Sequence, residues 1–315
     1  MNIVKNRYIY FLISLLVIIP GIIFMGLNWQ RTKAGPLELG IDFRGGSLLE
    51  ITIEGTRPET AEIAKLYKEF STSEEPLADP IIQSLGTDSF SIRSKTMTDE
   101  TKGKMVAEME SRFGTKVTVL NFTSVSASVG AEVTKAAGWA IFAAAMAILG
   151  YIWWAFRKVE HAYRYGTAAI IAMLHDVLVV VGVEAILGYF LGWEADALFL
   201  TALLTVIGFS VHDTIVVFDR VRENSNLYRR VEYEKMVNHS IVQTLDRSIT
   251  TQLTVMFTLF ALVLFGGDSI RHFVIILLIG IFSGTYSSIF NAAQILVVWE
   301  NREWTSWFKQ KEVTA

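Results

Sequence analysis

The sequence has 315 residues, of which 52% are hydrophobic and 19% are charged, and its mean hydropathy is +0.40. This composition is too apolar for an ordinary soluble domain and indicates an integral membrane protein. The formal net charge of −3 without a basic tract argues against nucleic acid as a partner, and the lack of cysteine excludes disulfides and thiol chemistry.

Six apolar stretches are long enough to cross about 30 Å of hydrocarbon as helices, which takes about 20 residues each. The predicted spans are residues 8–29, 136–156, 166–191, 198–218, 249–266 and 273–299. The first is a retained helix rather than a secretory signal, because its apolar run exceeds a signal core of about 7–15 residues and no small-x-small cleavage site follows. The chain therefore divides into an N-terminal segment with the first helix (1–29), an outer domain (30–135), helices two to six (136–299) and a tail (300–315).

The orientation of these helices follows from the cationic residues in the short connecting segments. If the six helices alternate, one side of the membrane receives nearly all of them, and the short loops of the other side hold only Arg271. The cations of the first side are Lys5, Arg7, Arg157, Lys158, Arg164, Arg220, Arg222, Arg229, Arg230, Lys235, Arg247, Arg302, Lys309 and Lys311. The positive-inside rule then predicts that both termini are cytoplasmic and that residues 30–135 lie outside.

Residues 30–135 have the pattern of a small folded domain. Two predicted strands, 37–43 and 48–54, are joined through Arg44-Gly45-Gly46-Ser47, whose glycines permit a tight turn. A helix over 59–70, a hairpin of 81–85 and 90–93, a helix over 98–112 and a strand over 116–122 follow. The order ββαββαβ contains the split βαβ pattern of ferredoxin-like folds, so we predict an α+β domain between the first two membrane helices.

Two of the predicted spans carry a stripe of polar residues on one helical face. The stripes are Arg247, Thr251, Thr254 and Thr258 on the fifth helix, and Ser283, Ser287, Asn291 and Gln294 on the sixth. Two stripes on adjacent helices predict a hydrated seam, although any single member is better explained by a hydrogen bond between helices. Gly280 and Gly284 have the small-xxx-small spacing of close helix packing.

Two His-Asp dipeptides lie on consecutive spans, His175-Asp176 on the third and His212-Asp213 on the fourth. A carboxylate in the middle of a membrane helix costs about 2.5–3.5 kcal/mol on insertion scales, so it needs a partner, a water path or a function. Metal binding by two such dipeptides lacks any further ligand motif. Asp213 is the stronger functional candidate, whereas a structural role explains Asp176 equally well.

An aspartate and an arginine could together couple proton binding to motion. Burial disfavours a charged carboxylate and a nearby guanidinium favours it, so moving Arg247 toward or away from Asp213 would bind or release a proton. A proton crossing the membrane releases about 2.3 kcal/mol per 100 mV, which is enough to bias a conformational change of a few kcal/mol.

Several motifs along the chain resemble the SecF family of the bacterial protein-export machinery. They are GIDFRGG at 40–46, HD at 175–176, GFSVHDT at 208–214, VFDRVREN at 217–224 and LDRSITT at 245–251. The resemblance covers essentially the whole chain and implies membership of the resistance-nodulation-division superfamily. It also implies a six-helix bundle in the bacterial cytoplasmic membrane, with no cofactor and no enzymatic activity.

The same resemblance implies a partner and a mechanism. SecF proteins pair with SecD and are thought to use the proton-motive force for late export of unfolded preproteins through the SecYEG channel, with an associated insertase as a further expected partner. Asp213 and Arg247 match the family's proton-coupling positions, with His212 and Asp176 as further candidates. Asp42, Gly45 and Gly46 belong to the outer-domain motif. Some relatives use sodium, so the coupling ion stays open.

Three other functions compete with this interpretation. An intramembrane aspartyl protease also needs two membrane aspartates, but Asp213 lacks the Gly-x-Gly-Asp context, and no proline follows Pro80. A stand-alone exporter of solutes or lipids would be expected to contain two fused halves, whereas one half with one outer domain indicates a subunit of a two-part assembly. A purely structural role in translocon assembly predicts that Asp213→Asn is harmless.

Overall fold

The computed structural model describes residues 1–33, 35–55, 58–84, 88–157 and 161–307. The chain forms two compact units, Leu39–Trp139 and a second unit made of Met1–Glu38 with Ala140–Ala315. The predicted hairpin turn at Gly86, the cation Lys158 and residues 308–315 of the predicted tail lie outside the described residues.

The helices, in chain order, are α1 (Arg7–Thr32), α2 (Ile41–Arg44), α3 (Thr60–Glu69), α4 (Asp99–Phe113), α5 (Ala127–Phe156), α6 (Ala162–Leu191), α7 (Ala197–Leu227), α8 (Tyr233–Phe265), α9 (Asp268–Ser287), α10 (Ala293–Glu300) and α11 (Trp304–Trp307). A 3₁₀ turn (Val4–Asn6) precedes α1, and a π-helical segment (Ser288–Ala292) joins α9 to α10. The strands are β1 (Gly46–Ile53), β2 (Ile81–Ser84), β3 (Ser89–Ser94) and β4 (Val117–Val125).

The unit Leu39–Trp139 is built on a four-stranded antiparallel sheet. Its strand order is β2-β3-β1-β4, which with the chain order β1-α3-β2-β3-α4-β4 gives the predicted ferredoxin-like arrangement. Alternate residues of β1, namely Leu49, Ile51 and Ile53, are fully buried in a core that α3 and α4 complete with Leu66 and Met105. Period-two alternation in β1 and helical periodicity in α3 and α4 therefore place their apolar faces in one core.

The predicted strand over residues 37–43 is wrong, because residues 41–44 form the single helical turn α2. Two glycines with positive φ follow this turn, Gly45 at 76° and Gly46 at 128°. A Cβ on Gly45 would lie 2.6 Å from Ala127 Cα, and a Cβ on Gly130 would lie 2.7 Å from Gly45 N. The glycines of the Asp42–Gly46 motif thus allow the turn to lie directly against the first turn of α5.

Six helical segments within the described residues are long and apolar enough to span a membrane, which confirms the predicted number. They are Val4–Thr32, Ala127–Phe156, Ala162–Leu191, Ala197–Leu227, Tyr233–Phe265 and Ile270–Glu300. Most extend beyond the predicted apolar spans. For example, α7 and α8 continue as a polar helical hairpin, in which Asn224 Nδ2 donates to Ser240 Oγ (2.8 Å) and to Gln243 Oε1 (2.8 Å).

Three of these segments form the centre of the bundle. Buried residues make up 44%, 50% and 56% of the most apolar part of α6, α7 and Ile270–Glu300, against 11% for α1 and α5 and 17% for α8. Glycines bring the central helices close together: a Cβ on Gly280 would lie 2.2 Å from Val206, and one on Gly284 would lie 3.1 Å from Ser210. The prediction of close packing at Gly280 and Gly284 is confirmed.

The bundle has two ends. At the terminal end, Arg7 pairs with Glu303 (2.6 Å) and Glu234 (3.3 Å), which connects α1 to α8 and to the chain after α10. At the other end, where the chain leaves α1, Arg31 pairs with Glu38, and Ala195 N donates to Glu38 O (2.7 Å). We call this second one the domain end.

Candidate functional site

Asp176 lies in the middle of α6 and is fully buried, with hydrogen-bond partners on both carboxylate oxygens. Ser210 Oγ of α7 and Ser287 Oγ of α9 (2.6 Å) donate to its Oδ2. Ser283 Oγ (2.8 Å) donates to Oδ1, and His175 Nδ1 lies 2.9 Å from the same oxygen. Three hydroxyls from two neighbouring helices therefore hold this carboxylate. We call these three serines, Ser210, Ser283 and Ser287, the serine cage.

His175 connects the serine cage to α1. Its ring stacks on Tyr286 with centroids 6.2 Å apart, and the Tyr286 hydroxyl donates to Tyr10 O at 2.7 Å. The second ring nitrogen, Nε2, is buried and has no partner among the described residues. The first His-Asp dipeptide thus helps to join α6, α7, α9 and α1.

Asp213 of α7 is also buried, at 5% exposure, but its surroundings differ from those of Asp176. Ser248 Oγ of α8 donates to its Oδ1 at 2.8 Å, whereas Oδ2 is buried without a partner among the described residues. A buried acceptor without a donor is costly unless water, a proton or an ion satisfies it. Asp213 therefore has one oxygen available for such a ligand.

Short polar contacts connect the surroundings of the two carboxylates. Ser210, which donates to Asp176, lies three residues before Asp213 on α7. Thr214, the next residue after Asp213, shares a hydrogen bond of 2.8 Å with Ser288, and Ser288 Oγ donates to Ser210 O at 3.0 Å. Ser288 begins the π-helical segment, and π-helical turns occur frequently at functional sites.

Arg247 immediately precedes Ser248 on α8, and it is exposed. Within the described part of the chain, no ion pair within 4.0 Å joins Arg247 to Asp213, although their charges interact at longer range. Arg247 instead lines a cavity of about 580 Å³, together with Ile215 and Val216 from the turn after Asp213. The other residues lining this cavity are Tyr151, Trp154, Ala155, Phe156, Arg157, Asp219 and Arg222. The two members of the predicted Asp-Arg pair thus lie on different helices, Asp213 on α7 and Arg247 on α8, without direct contact.

The two predicted polar stripes are not brought together. On the last helix, Ser283 and Ser287 belong to the serine cage, Asn291 Nδ2 donates to Ser14 Oγ of α1 (2.8 Å), and Gln294 is buried. On α8, Thr251, Thr254 and Thr258 are exposed. Thr254 and Thr258 donate to backbone carbonyls of their own helix, at 2.9 Å and 3.1 Å. The threonine stripe therefore faces outward from this chain, as does the exposed His212.

One buried carboxylate at the domain end is not among the predicted site residues. Glu184 of α6 is 1% exposed, and its Oε2 lies 2.9 Å from His272 Nε2 of α9. Its signal was present in the sequence, because Glu184 is the single acidic residue in the apolar run 177–191. Among the described residues, no group of three or more His, Asp and Glu side chains is arranged to hold a metal ion.

Comparison with known proteins gives one consistent family. The family described as "Protein export membrane protein SecD/SecF, C-terminal" matches residues 105–302. The chain is 52% identical to protein translocase subunit SecF of Anaerolinea thermophila, over 98% of this chain and 97% of that protein. It is 49% identical to the SecF subunit of Thermobaculum terrenum, over 100% of this chain and 98% of that protein.

A solved structure shares the architecture. The crystal structure of SecDF, a translocon-associated membrane protein from Thermus thermophilus, aligns with a TM-score of 0.77 and 30% identity over 96% of this chain. The chain spans 39% of the length of that SecDF protein. The six membrane-spanning helices, the ferredoxin-like domain and these matches agree, and the chain belongs to the SecD/SecF family as a multi-pass SecF subunit of the protein translocase.

Proposed function

We propose that this subunit works with SecD and uses the proton-motive force to assist late stages of preprotein translocation, with Asp213 as the proton-binding group. A protein translocase subunit SecDF of Thermus thermophilus is 35% identical to 83% of this chain, which corresponds to 34% of that protein. A longer relative named for both subunits supports SecD as the partner.

The observation that carries the proposal is the unequal satisfaction of the two membrane aspartates. Asp176 accepts hydrogen bonds at both oxygens, so a proton on it would compete with donors already in place. Asp213 has one donor, Ser248, and a second oxygen without a partner among the described residues. A proton can be gained or lost at that oxygen without breaking an existing hydrogen bond.

Arg247 supplies the means to connect protonation with motion. Arg247 lines a cavity that also borders Ile215 and Val216 in the α7 turn after Asp213, so a small movement of α8 relative to α7 would change the distance between the two charges. A charged Asp213 attracts Arg247 and a neutral one does not. Because about 2.3 kcal/mol is available per proton and 100 mV, the field can drive a change of this size.

The proposed setting follows the charge distribution and the relatives. We infer a bacterial cytoplasmic membrane with both termini inside, because the cations gather at the terminal end of the bundle. The outer domain then faces the exported polypeptide, and the SecYEG channel and its insertase are expected neighbours. Asp176 holds the bundle in this proposal, and sodium is the competing coupling ion.

Protein export from cells depleted of the native subunit tests the proposal, with complementation by Asp213→Asn and Arg247→Met. Both variants should accumulate normally and retain SecD in a pull-down, while export loses its stimulation by the proton-motive force. Glu223→Gln and Arg229→Met, which alter exposed charges of the α7–α8 hairpin region, are the matched controls and should export normally.

The same assay separates the competing functions. Full export with Asp213→Asn would show that the aspartate is structural and would end the coupling proposal. Export that responds to a sodium ionophore but not to a protonophore would replace the proton with sodium while leaving Asp213 as the ion-binding group.

A further inference from the structure

Glu184 is a third carboxylate within the bundle, and the mechanism above does not use it. It lies seven residues before the end of α6, with 1% of its surface exposed. Its Oε2 is bonded to His272 Nε2 at 2.9 Å, and its Oε1 is buried without a partner among the described residues. A buried carboxylate with a free oxygen needs a proton or another ligand there.

His272 is the more exposed member of this pair and connects Glu184 to solvent. The Trp193 ring packs on the His272 ring with centroids 4.2 Å apart, and Gly188 permits this approach because a Cβ there would lie 3.0 Å from Trp193 O. The His272 side chain keeps 24% of its surface exposed, against 1% for Glu184. A proton arriving from the solvent at the domain end therefore meets the imidazole before the carboxylate.

The other charged groups at the domain end have interactions of their own. Arg31 of α1 pairs with Glu38 and donates to Tyr189 O (3.3 Å). Asp196 accepts from Phe199 N (2.7 Å) and so caps α7. Glu194 before α7 and Arg271 beside His272 also make interactions, and Asn28 of α1 donates to Ala185 O at 2.9 Å. In the described structure, His272 is the titratable side chain bonded to Glu184.

Glu184 is on the same helix as Asp176, the carboxylate held by the serine cage. Asp176 is eight residues earlier on α6, about 12 Å along the helix and about 80° around its axis. His272 and Glu184 thus lie at the domain end, whereas Asp176 and Asp213 lie deeper in the bundle, where Ser210 of α7 contacts Asp176.

We propose that His272 and Glu184 form a proton-loading site at the domain end of the bundle. Nδ1 of His272 takes a proton from solution while the proton on Nε2 passes to Oε2 of Glu184, which leaves a neutral imidazole and a neutral carboxylic acid. This proposal extends the proposed function and rests on it for the direction of proton flow. It makes His272 and Glu184 the place where a proton from the domain end enters the bundle.

Modification by dicyclohexylcarbodiimide tests the site directly, because this apolar reagent attacks protonated carboxyl groups in apolar surroundings. The full chain with its SecD partner is treated in membranes from about pH 5 to pH 8, the interval in which histidine titrates, and the Glu184 peptide is quantified by mass spectrometry. We expect modification of Glu184 that increases as the pH falls, with the midpoint displaced in His272→Gln.

The control variants distinguish proton binding at Glu184 from a purely structural role of this residue. Asp196→Asn removes a carboxylate from the same end while keeping an oxygen that can cap α7, and it should leave the Glu184 titration unchanged. Glu184→Gln should abolish the modified peptide and lower proton-driven export while the melting temperature changes little. An unmodified Glu184 at every pH, or equal midpoints in the native chain and His272→Gln, overturns the proposal.

The proton-loading site and the proposed function can be rejected independently of each other. Carbodiimide modification does not depend on export, so a titrating Glu184 together with full export by Asp213→Asn would keep the loading site and remove the coupling role of Asp213. Loss of export in Asp213→Asn with a Glu184 that does not titrate would do the reverse.

Discussion

The regions around Asp176 and Asp213 begin from the same dipeptide and reach opposite arrangements. In the first, three serine hydroxyls and the adjacent histidine occupy both oxygens of a fully buried carboxylate. In the second, one serine holds one oxygen, and the adjacent His212 is exposed. What differs is the supply of donors from neighbouring helices, because α9 presents serines to Asp176 at two successive turns.

This difference separates a structural carboxylate from one available to a ligand. A carboxylate whose acceptors are occupied contributes to packing between helices, whereas one with a free oxygen retains a cost that a proton or an ion can remove. The two sites are still connected, since Ser210 contacts Asp176 and lies one turn from Asp213 on α7. Under the proposed coupling, protonation of Asp213 would act on the serine cage through α7.

The largest expected contrast is functional and comes from the same change at both aspartates. Asp213→Asn removes the titratable group and should abolish proton-stimulated export, whereas Asp176→Asn keeps a hydrogen-bonding side chain in the serine cage and should retain most of it. Export from complemented cells at matched membrane levels measures both. Equal loss in the two variants would contradict the division of roles.

A second contrast concerns stability. Asp176→Ala leaves three buried serine hydroxyls and His175 without their acceptor, and we expect a loss of about 2–3 kcal/mol in folding free energy. Asp213→Ala frees one hydroxyl and removes an unpaired oxygen, so its effect should stay below about 1 kcal/mol. Thermal unfolding of the purified variants in one detergent gives the comparison, and a larger loss for Asp213→Ala would reverse our interpretation.

Much of the fold could be predicted because its causes are local or periodic. Long apolar runs identified six membrane helices, and period-two and helical patterns gave the ferredoxin-like domain. The strand expected over 37–43 failed because the turn at Ile41–Arg44 depends on close approach of Gly45 to Ala127, a residue far away in sequence. Helix ends were also underestimated, since α8 begins in polar sequence held by α7.

The residues of the site could be predicted better than the contacts that they make. The dipeptides identified both aspartates, but only packing decides which serines face Asp176 and that the threonines of α8 face outward. Periodicity places residues on one face of a helix without saying which neighbour that face meets. Glu184 was open to the same argument as Asp176, because each is an acidic residue inside an apolar span.

Smaller effects are expected within the serine cage, where several donors share one acceptor carboxylate. Ser283→Ala or Ser287→Ala alone should cost about 0.6 kcal/mol, the typical value for hydrogen bonds between membrane helices. Because both serines serve the same carboxylate, the double variant should exceed the sum of the single effects. A thermodynamic cycle measured by thermal unfolding checks this, with Ser225→Ala at the terminal end as the control; strict additivity would argue against a shared cage.

The smallest expected effect belongs to Glu303, a carboxylate that is paired with a cation. Partial burial raises the pKa of Glu303, but hydrogen bonds from Arg7, Tyr8 and Asn301 and the charge of Arg7 outweigh it, so the pKa lies below its ordinary value of 4.5. A carboxyl group whose pKa is lowered by folding stabilises the protein above the unfolded pKa and loses that contribution as pH falls through the folded pKa.

The Glu303 contribution should therefore be present at neutral pH, begin to decline as the pH falls toward 4.5 and be lost below the folded pKa, with a size of about 0.5 kcal/mol or less because the pair is partly exposed. Glu303→Gln should lower the melting temperature slightly at pH 7 and flatten its dependence on pH in the acidic range, while export remains intact. If Glu303→Gln instead abolished proton-stimulated export, a carboxylate at the terminal end would join the coupling path, and the contrast between Asp176 and Asp213 would no longer suffice to explain it.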